Sequence, residues 1–351
     1  MLFRPRLPLT TGLLALAALG CSDALEQDTT AGQVIVVADS SLSTVTLVSA
    51  TRFRATAVPA GGPFAAPVRM TARDSFLLFP VGAGDSLAVL RLLGGGGAVP
   101  SFIPLGSGAR AVGSLGIQSE GIAWVPLAGL DRVMQIDWLA GDTLASAGTG
   151  PQPMGAVVVG QGLFVVNANA VNDTPAGLSS ITWFGLATSP APLDTIPLTG
   201  TNAQFLVPAP DGLLYVVDRG AAGQGDGRLS IVDPGSRTEL AVLNGLGELP
   251  GPAVYHPSGR LLIASATEGI LEVNTLTRVV VRGAGTGFKP AGDGVTALAV
   301  DQRGRVYAVG ASCAPGVVRV LTAPPAYHLL QTVPVGSCLR AAAVAYSTAV
   351  P

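Results

Sequence analysis

The side chains that could do chemistry in this 351-residue chain are few and widely separated. There are two histidines, His256 and His328, a single lysine, Lys289, and three cysteines, Cys21, Cys313 and Cys338. His256 stands directly before a Pro257-Ser258-Gly259 turn, and His328 opens a later apolar run. Nucleophilic catalysis needs a nucleophile, a base and an orienting acid in mutual contact, and these placements do not supply one. The stretch GAGTGFK (283–289) has Phe288 where a phosphate-cradling loop requires glycine before its lysine. Gly94–Gly97 lies between predicted strands, with no following helix to receive a dinucleotide. No CxxCH occurs, so covalent haem attachment is excluded.

The densest polar grouping is Asn167, Asn169, Asn172 and Asp173, in and beside the segment 168–179. Closely spaced Asn and Asp oxygens are what a calcium loop offers, so a calcium ion is the one cofactor this sequence suggests. The glycine and terminal glutamate of an EF-hand are missing, and asparagines bonding their own turn are the simpler account. A second polar segment, 218–228, carries Asp218, Arg219, Asp226 and Arg228, which read as solvated ion pairs.

Positioning such groups falls to strands. Charged residues make up 12% of the chain, against about 25% in an ordinary domain, while 48% are hydrophobic and Gly (46) and Pro (27) abound. The net charge of −2 gives no basic footprint for DNA or RNA. Beyond the N-terminus, apolar runs break after about five to eight residues, which is strand length and not span length. One element recurs: a Gly or Ser, a β-branched or aromatic run, then a polar turn. It starts at Gly32, Ser75, Gly121, Gly162, Gly212, Gly259 and Gly304, at spacings of 43, 46, 41, 50, 47 and 45 residues. Other runs flank it, such as GAVVVG (155–160) before and RVMQID (132–137) or SITWFG (180–185) after. Four short strands per unit, in seven units, predict an all-β, seven-bladed β-propeller with four antiparallel strands per blade. A sandwich or a lipocalin-like barrel does not predict that repeat.

The first unit lacks an innermost strand, whereas the last has a surplus one in LRAAAVAYSTA (339–349). The C-terminal strand is therefore expected to complete the first blade and close the ring, sparing an open edge. In a propeller, loops from the second to the third strand share a face with the blade-to-blade connections. The long segments 168–179 and 218–228 belong to that face. Asp39, Thr267 and Glu268 fall in equivalent loops, and with Asn167, Asn169, Asn172, Asp173, Asp218 and Arg219 they make the candidate binding face. The same geometry puts Cys313 and Cys338 in neighbouring loops of that face, near enough for a disulfide.

VNANA (166–170) and YVVDRG (215–220) resemble the YVTN strand of the seven-bladed propellers of secreted bacterial and archaeal proteins. SIVDPGSR (230–237) and EVNTLTR (272–278) resemble the strand that follows it, while PDGLLYVVD is similar to NHL-type and gluconolactonase-type repeats. The resemblance implies a binding or scaffold role more often than catalysis, and it names no ligand. Residues 1–20 have a basic start, an apolar stretch over 7–19 and a small-residue end, the pattern of an export signal. Ala18-Leu19-Gly20-Cys21 resembles the bacterial lipobox, which implies acylation of Cys21, a polar tether over 21–31 and a propeller over 32–351. Ser22 after the cysteine implies the outer membrane by the same resemblance. Export supplies an oxidising compartment, and lipid on Cys21 leaves Cys313 and Cys338 as an even pair.

The expected protein is a monomeric, exported module of the cell envelope, tethered to a membrane by its lipid. It would bind a protein or small-molecule partner on the long-loop face. The alternative is a metal-dependent hydrolase of the lactonase type, with Asp293 and Asp301 the main acids of the innermost strands.

Overall fold

The computed structural model describes residues 32–93, 98–186, 192–313 and 315–346. The segments expected to be an export signal (1–20) and a tether (21–31, with Cys21), and Gly94–Gly97, lie outside them. The described chain forms seven four-stranded antiparallel sheets arranged as a ring. Blade one contains β1 (Gln33–Asp39), β2 (Thr44–Ser49) and β3 (Ala55–Pro59). Blade two runs from β4 (Thr71–Arg73) through β5 (Phe76–Val81) and β6 (Ser86–Leu92) to β7 (Ala98–Pro104). Blade three comprises β8 (Gly116–Ile117), β9 (Ile122–Leu127), β10 (Arg132–Asp137) and β11 (Asp142–Gly148). In blade four, β12 (Pro153–Val159) and β13 (Gly162–Asn167) precede a small hairpin, β14 (Ala170–Val171) and β15 (Thr174–Pro175). The blade then resumes with β16 (Ser180–Gly185) and β17 (Pro192–Pro197). Blade five has β18 (Ala203–Pro208), β19 (Leu214–Asp218), β20 (Gly227–Asp233) and β21 (Thr238–Gly247). Blade six has β22 (Ala253–His256), β23 (Arg260–Ser265), β24 (Gly269–Asn274) and β25 (Val279–Arg282). Blade seven has β26 (Val295–Val300), β27 (Val306–Gly310), β28 (Val317–Leu321) and β29 (Leu329–Pro334). Among the described residues no helix is long and apolar enough to cross a membrane.

The C-terminal strand β30 (Leu339–Tyr346) pairs with β1, from Gln33 opposite Tyr346 to Val37 opposite Ala342. Blade one is thus completed by the other end of the chain. Asp39 Oδ2 accepts from the Ser337 amide at 2.6 Å, and Ser40 donates its hydroxyl to the Cys338 carbonyl at 2.8 Å. Cys313 and Cys338 form a disulfide beside this seam, with Cα atoms 4.0 Å apart.

Burial explains why the repeated element is apolar throughout instead of alternating. Every residue of β1, β13 and β19 is buried, because neighbouring blades cover both faces of each sheet. Seven clusters fill the seven gaps between blades. Val36 and Leu47 meet Phe79 and Leu90 in one, and Tyr215 and Ile231 meet Leu261 and Val273 in another. Outermost strands such as β7 and β29 are mostly exposed.

The turn between the first and second strands of a blade is held by its polar residues. Asp211 accepts from the Tyr215 hydroxyl at 2.7 Å and from the Leu213 amide. In blade seven, Asp301 accepts from Arg305 Nε at 2.6 Å and the Tyr307 hydroxyl at 3.0 Å. Burial, then the neighbouring carboxylate, pushes both tyrosine hydroxyls upward in pKa. His256 is buried between Ser258 Oγ (2.7 Å) and the Gly304 carbonyl (2.8 Å), linking the equivalent turns of blades six and seven. These residues are architectural.

Candidate functional site at the axial mouth

The innermost strands begin on one face of the ring, where each blade connects to the next. The loops after the second strands open on the same face. Two cavities adjoin there, of about 180 and 270 Å3, and both are lined by Pro67 and Arg219.

The two long polar loops meet at this mouth. Asn172 and Asp173 form the two-residue turn of the β14–β15 hairpin, with φ of 49° and 57°. Positive φ at both positions is what a type I′ turn requires, and Asn and Asp tolerate it. The turn carries Asp173 towards blade five. Its Oδ1 accepts from Arg219 Nη1 at 2.6 Å, Gln204 Nε2 at 3.0 Å and Asn202 Nδ2 at 3.1 Å. Arg219 follows β19 directly and also donates Nε to the Pro250 carbonyl at 3.2 Å. Asp173 and Arg219 thus join across loops, although the sequence suggested only local ion pairs.

The remaining candidates occupy other positions. Asp39, Asn167 and Asp218 end the second strands of blades one, four and five, and all three are fully buried. Asp39 Oδ1 accepts the Ser41 and Leu42 amides and the Ser41 hydroxyl. Burial raises the Asp39 carboxyl, yet the hydrogen bonds from Ser337, Ser41 and Leu42 outweigh it and hold the group below its ordinary value. Asn167 Nδ2 donates to Thr182 Oγ1 at 2.9 Å, and Asn169 Nδ2 to the Leu178 carbonyl at 3.1 Å. Asp218 Oδ2 accepts from Ser230 at 2.6 Å, while its Oδ1 is buried without a partner. Gly200 lies directly over this carboxyl, and a Cβ there would collide with it. Burial accordingly pushes Asp218 up to about 7, against the opposing Ser230 bond. Thr267 Oγ1 bonds Ser265 Oγ, and Glu268 Oε2 accepts the Gly285 amide at 3.1 Å.

Arginines from the innermost strands and the connections complete the mouth, and sequence reasoning missed them. Arg69 immediately precedes blade two and reaches the far side of the axis. It lies 4.3 Å over the Phe205 ring of β18 in blade five and donates Nη2 to Gln204 Oε1 at 3.1 Å. Arg340, on β30, lines the smaller cavity, and Arg110 the larger. The available signal was an isolated arginine in each of two otherwise small or apolar segments, APVRMTA and CLRAAAVA.

The acids nearest the innermost strand of blade seven are held by other partners. Asp293 is engaged by Arg319 at 3.2 Å and Ser312 Oγ, and Asp301 by Arg305. Among the described residues, no three His, Cys, Asp or Glu side chains converge to hold an ion.

Ring, closure and mouth together define a seven-bladed β-propeller with an axial cavity, an architecture that fits a binding or scaffold module. No family model matches the sequence, and no curated protein matches it. Solved structures do match. A functionally unknown protein from Desulfotomaculum acetoxidans DSM 771 aligns over 90% of this chain and 99% of its own, at TM-score 0.65 and 11% identity. Hydrazine synthase of Kuenenia stuttgartiensis aligns over 83% of this chain and 91% of that one, at TM-score 0.59 and 13% identity. Apo AztD from Citrobacter koseri aligns over 91% of this chain and 99% of that one, at TM-score 0.57 and 14% identity. At these identities the likeness concerns the fold alone.

Proposed function

We propose that this chain is an exported lipoprotein of the YVTN type, anchored in the cell envelope through Cys21, whose propeller binds a ligand at its axial mouth. The observation that carries the binding reading is the meeting of the two long loops. Asp173 of one pairs with Arg219 of the other at 2.6 Å, at the junction of two cavities. Loops projecting over a rigid ring are where such folds place their function. A lactonase-type hydrolase needs carboxylates converging on a cation, and the acids of the innermost strands are committed to arginines instead.

Thermal-shift screening of the exported protein against small molecules tests this reading, with Arg219→Ala as the mouth variant. A stabilising compound whose effect vanishes in the variant supports it. A compound that binds the variant equally well and contacts the opposite face, near Asp211 and His256, overturns it. Detergent-phase partitioning of wild type and Cys21→Ala tests the anchor, which is lost if both partition alike. A stoichiometric divalent cation in the purified protein would favour the hydrolase.

A further inference from the structure

We propose that the axial mouth is a receptor for a compact anion, either a carboxylate or an inorganic oxyanion, held between Arg69, Arg219 and Arg340. This inference rests on the mouth being the binding site, and it names the chemistry of what enters.

The smaller cavity, about 180 Å3, is lined by those three arginines and otherwise by apolar groups and Thr296, with no carboxylate among the described residues of its wall. It falls short of the roughly 300 Å3 at which pockets for drug-sized molecules begin. Residues from blades one, six and seven, the connections into blade two and out of blade five, and the blade-five loop that bears Arg219 contribute to it, so a ligand here touches most of the ring.

The charges around it do not balance. Asp173 is the carboxylate that answers the cluster, and it is bound to Arg219. Arg69 forms no ion pair among the described residues. Its Nη2 goes to the neutral Gln204 amide and its Nη1 to the Val68 carbonyl at 3.3 Å. Its Nε is sealed from solvent and has no acceptor. Burial and the facing Arg219 charge push this guanidinium down to about 9, against a partial offset from Asp173. Among the described residues Arg340 likewise pairs with no carboxylate, and its Nη2 contacts the Cys313 sulfur at 3.7 Å. A sealed donor and a partly buried cation without counter-charge are both costly, and an anion between the arginines would relieve both. Guanidinium forks suit carboxylate and oxyanion geometry, and the apolar walls strengthen the attraction.

The test is calorimetric and thermal-shift titration of the exported protein, at low ionic strength, with phosphate, sulfate, succinate and citrate. Glucose and choline serve as neutral and cationic controls. At least one anion should bind saturably at millimolar concentration or below. Affinity should fall at least tenfold in Arg69→Gln and in Arg340→Gln, and should weaken with added salt. Arg340 is exposed, so its variant keeps the test valid should Arg69→Gln fail to fold. Phosphate or sulfate binding without succinate or citrate identifies an inorganic oxyanion, and the reverse an organic acid. No saturable anion binding, or binding unchanged in Arg340→Gln, overturns the proposal. If choline or glucose alone binds and Arg219→Ala abolishes that binding, the mouth stands and its anion chemistry falls. A ligand confined to the opposite face removes both.

Discussion

Asp218 gives the sharpest test of how burial acts in this ring. Its carboxyl is fully buried at the end of β19, with Oδ1 unpartnered and Gly200 packed over it. Raising it from 3.8 to about 7 corresponds to about 4 kcal/mol, at about 1.4 kcal/mol per tenfold change in proton affinity. The sign follows from proton counting. Between those two values the native carboxyl keeps its proton while the unfolded one releases it, so the native state binds more protons and loses stability as pH rises. The cost is absent below the unfolded value, grows between about 4 and 7, and is complete above 7. Asp218→Asn replaces the acid by a neutral group that can still meet Ser230. The variant should therefore match wild type at acid pH and exceed it by about 4 kcal/mol at alkaline pH. Urea unfolding of both proteins across pH 4, 5, 6, 7 and 8 measures the difference, provided each unfolds in one transition. A stability difference that stays flat over this range, or that shrinks towards alkaline pH, would refute the assigned desolvation.

Three further outcomes follow from the fold. The Cys313–Cys338 bond closes 25 residues, so loop-closure entropy assigns it about 3.5 kcal/mol. The Cys313→Ser, Cys338→Ser double variant should melt about 5 °C lower than oxidised wild type by calorimetry, and equal melting points would deny the bond a role at the seam. Truncation before Leu339 deletes the strand that covers Val34 and Val36, so the product should self-associate and bind ANS. A monomer with unchanged melting temperature would exclude closure through β30. Glu272 is fully buried, paired with Arg260 at 3.3 Å and Arg282 at 3.6 Å, and accepts from the Tyr327 hydroxyl. Glu272→Ala should cost about 3 kcal/mol in urea unfolding, because it strands two partly buried cations, and a loss below 1 kcal/mol would show they are solvated enough to manage alone.

The sequence determined the features that repeat or that act along the strand. Period and apolar runs placed RVMQID on β10 and SITWFG on β16 residue for residue. They were informative because burial between two blades imposes the same demand seven times. Closure was legible in a missing first strand and a surplus last one, and the cysteine pair in the loops that closure makes neighbours. Where a strand is too short to carry a pattern, the signal fades. The innermost strands of blades two and three are Thr71–Arg73 and Gly116–Ile117, and no apolar run announces either.

The mouth was decided by tertiary structure. Arg69 and Gln204 are 135 residues apart and meet across the axis, while Asp173 reaches Arg219 over 46 residues and another blade boundary. Asp218, read as a polar loop residue, became a sealed acid because Gly200 from the preceding connection lies over it. Periodicity reports which side of a strand is buried, and it is set by nearest neighbours. Which charges confront one another across the ring depends on its diameter and closure, quantities that belong to all seven blades at once and to no stretch of sequence.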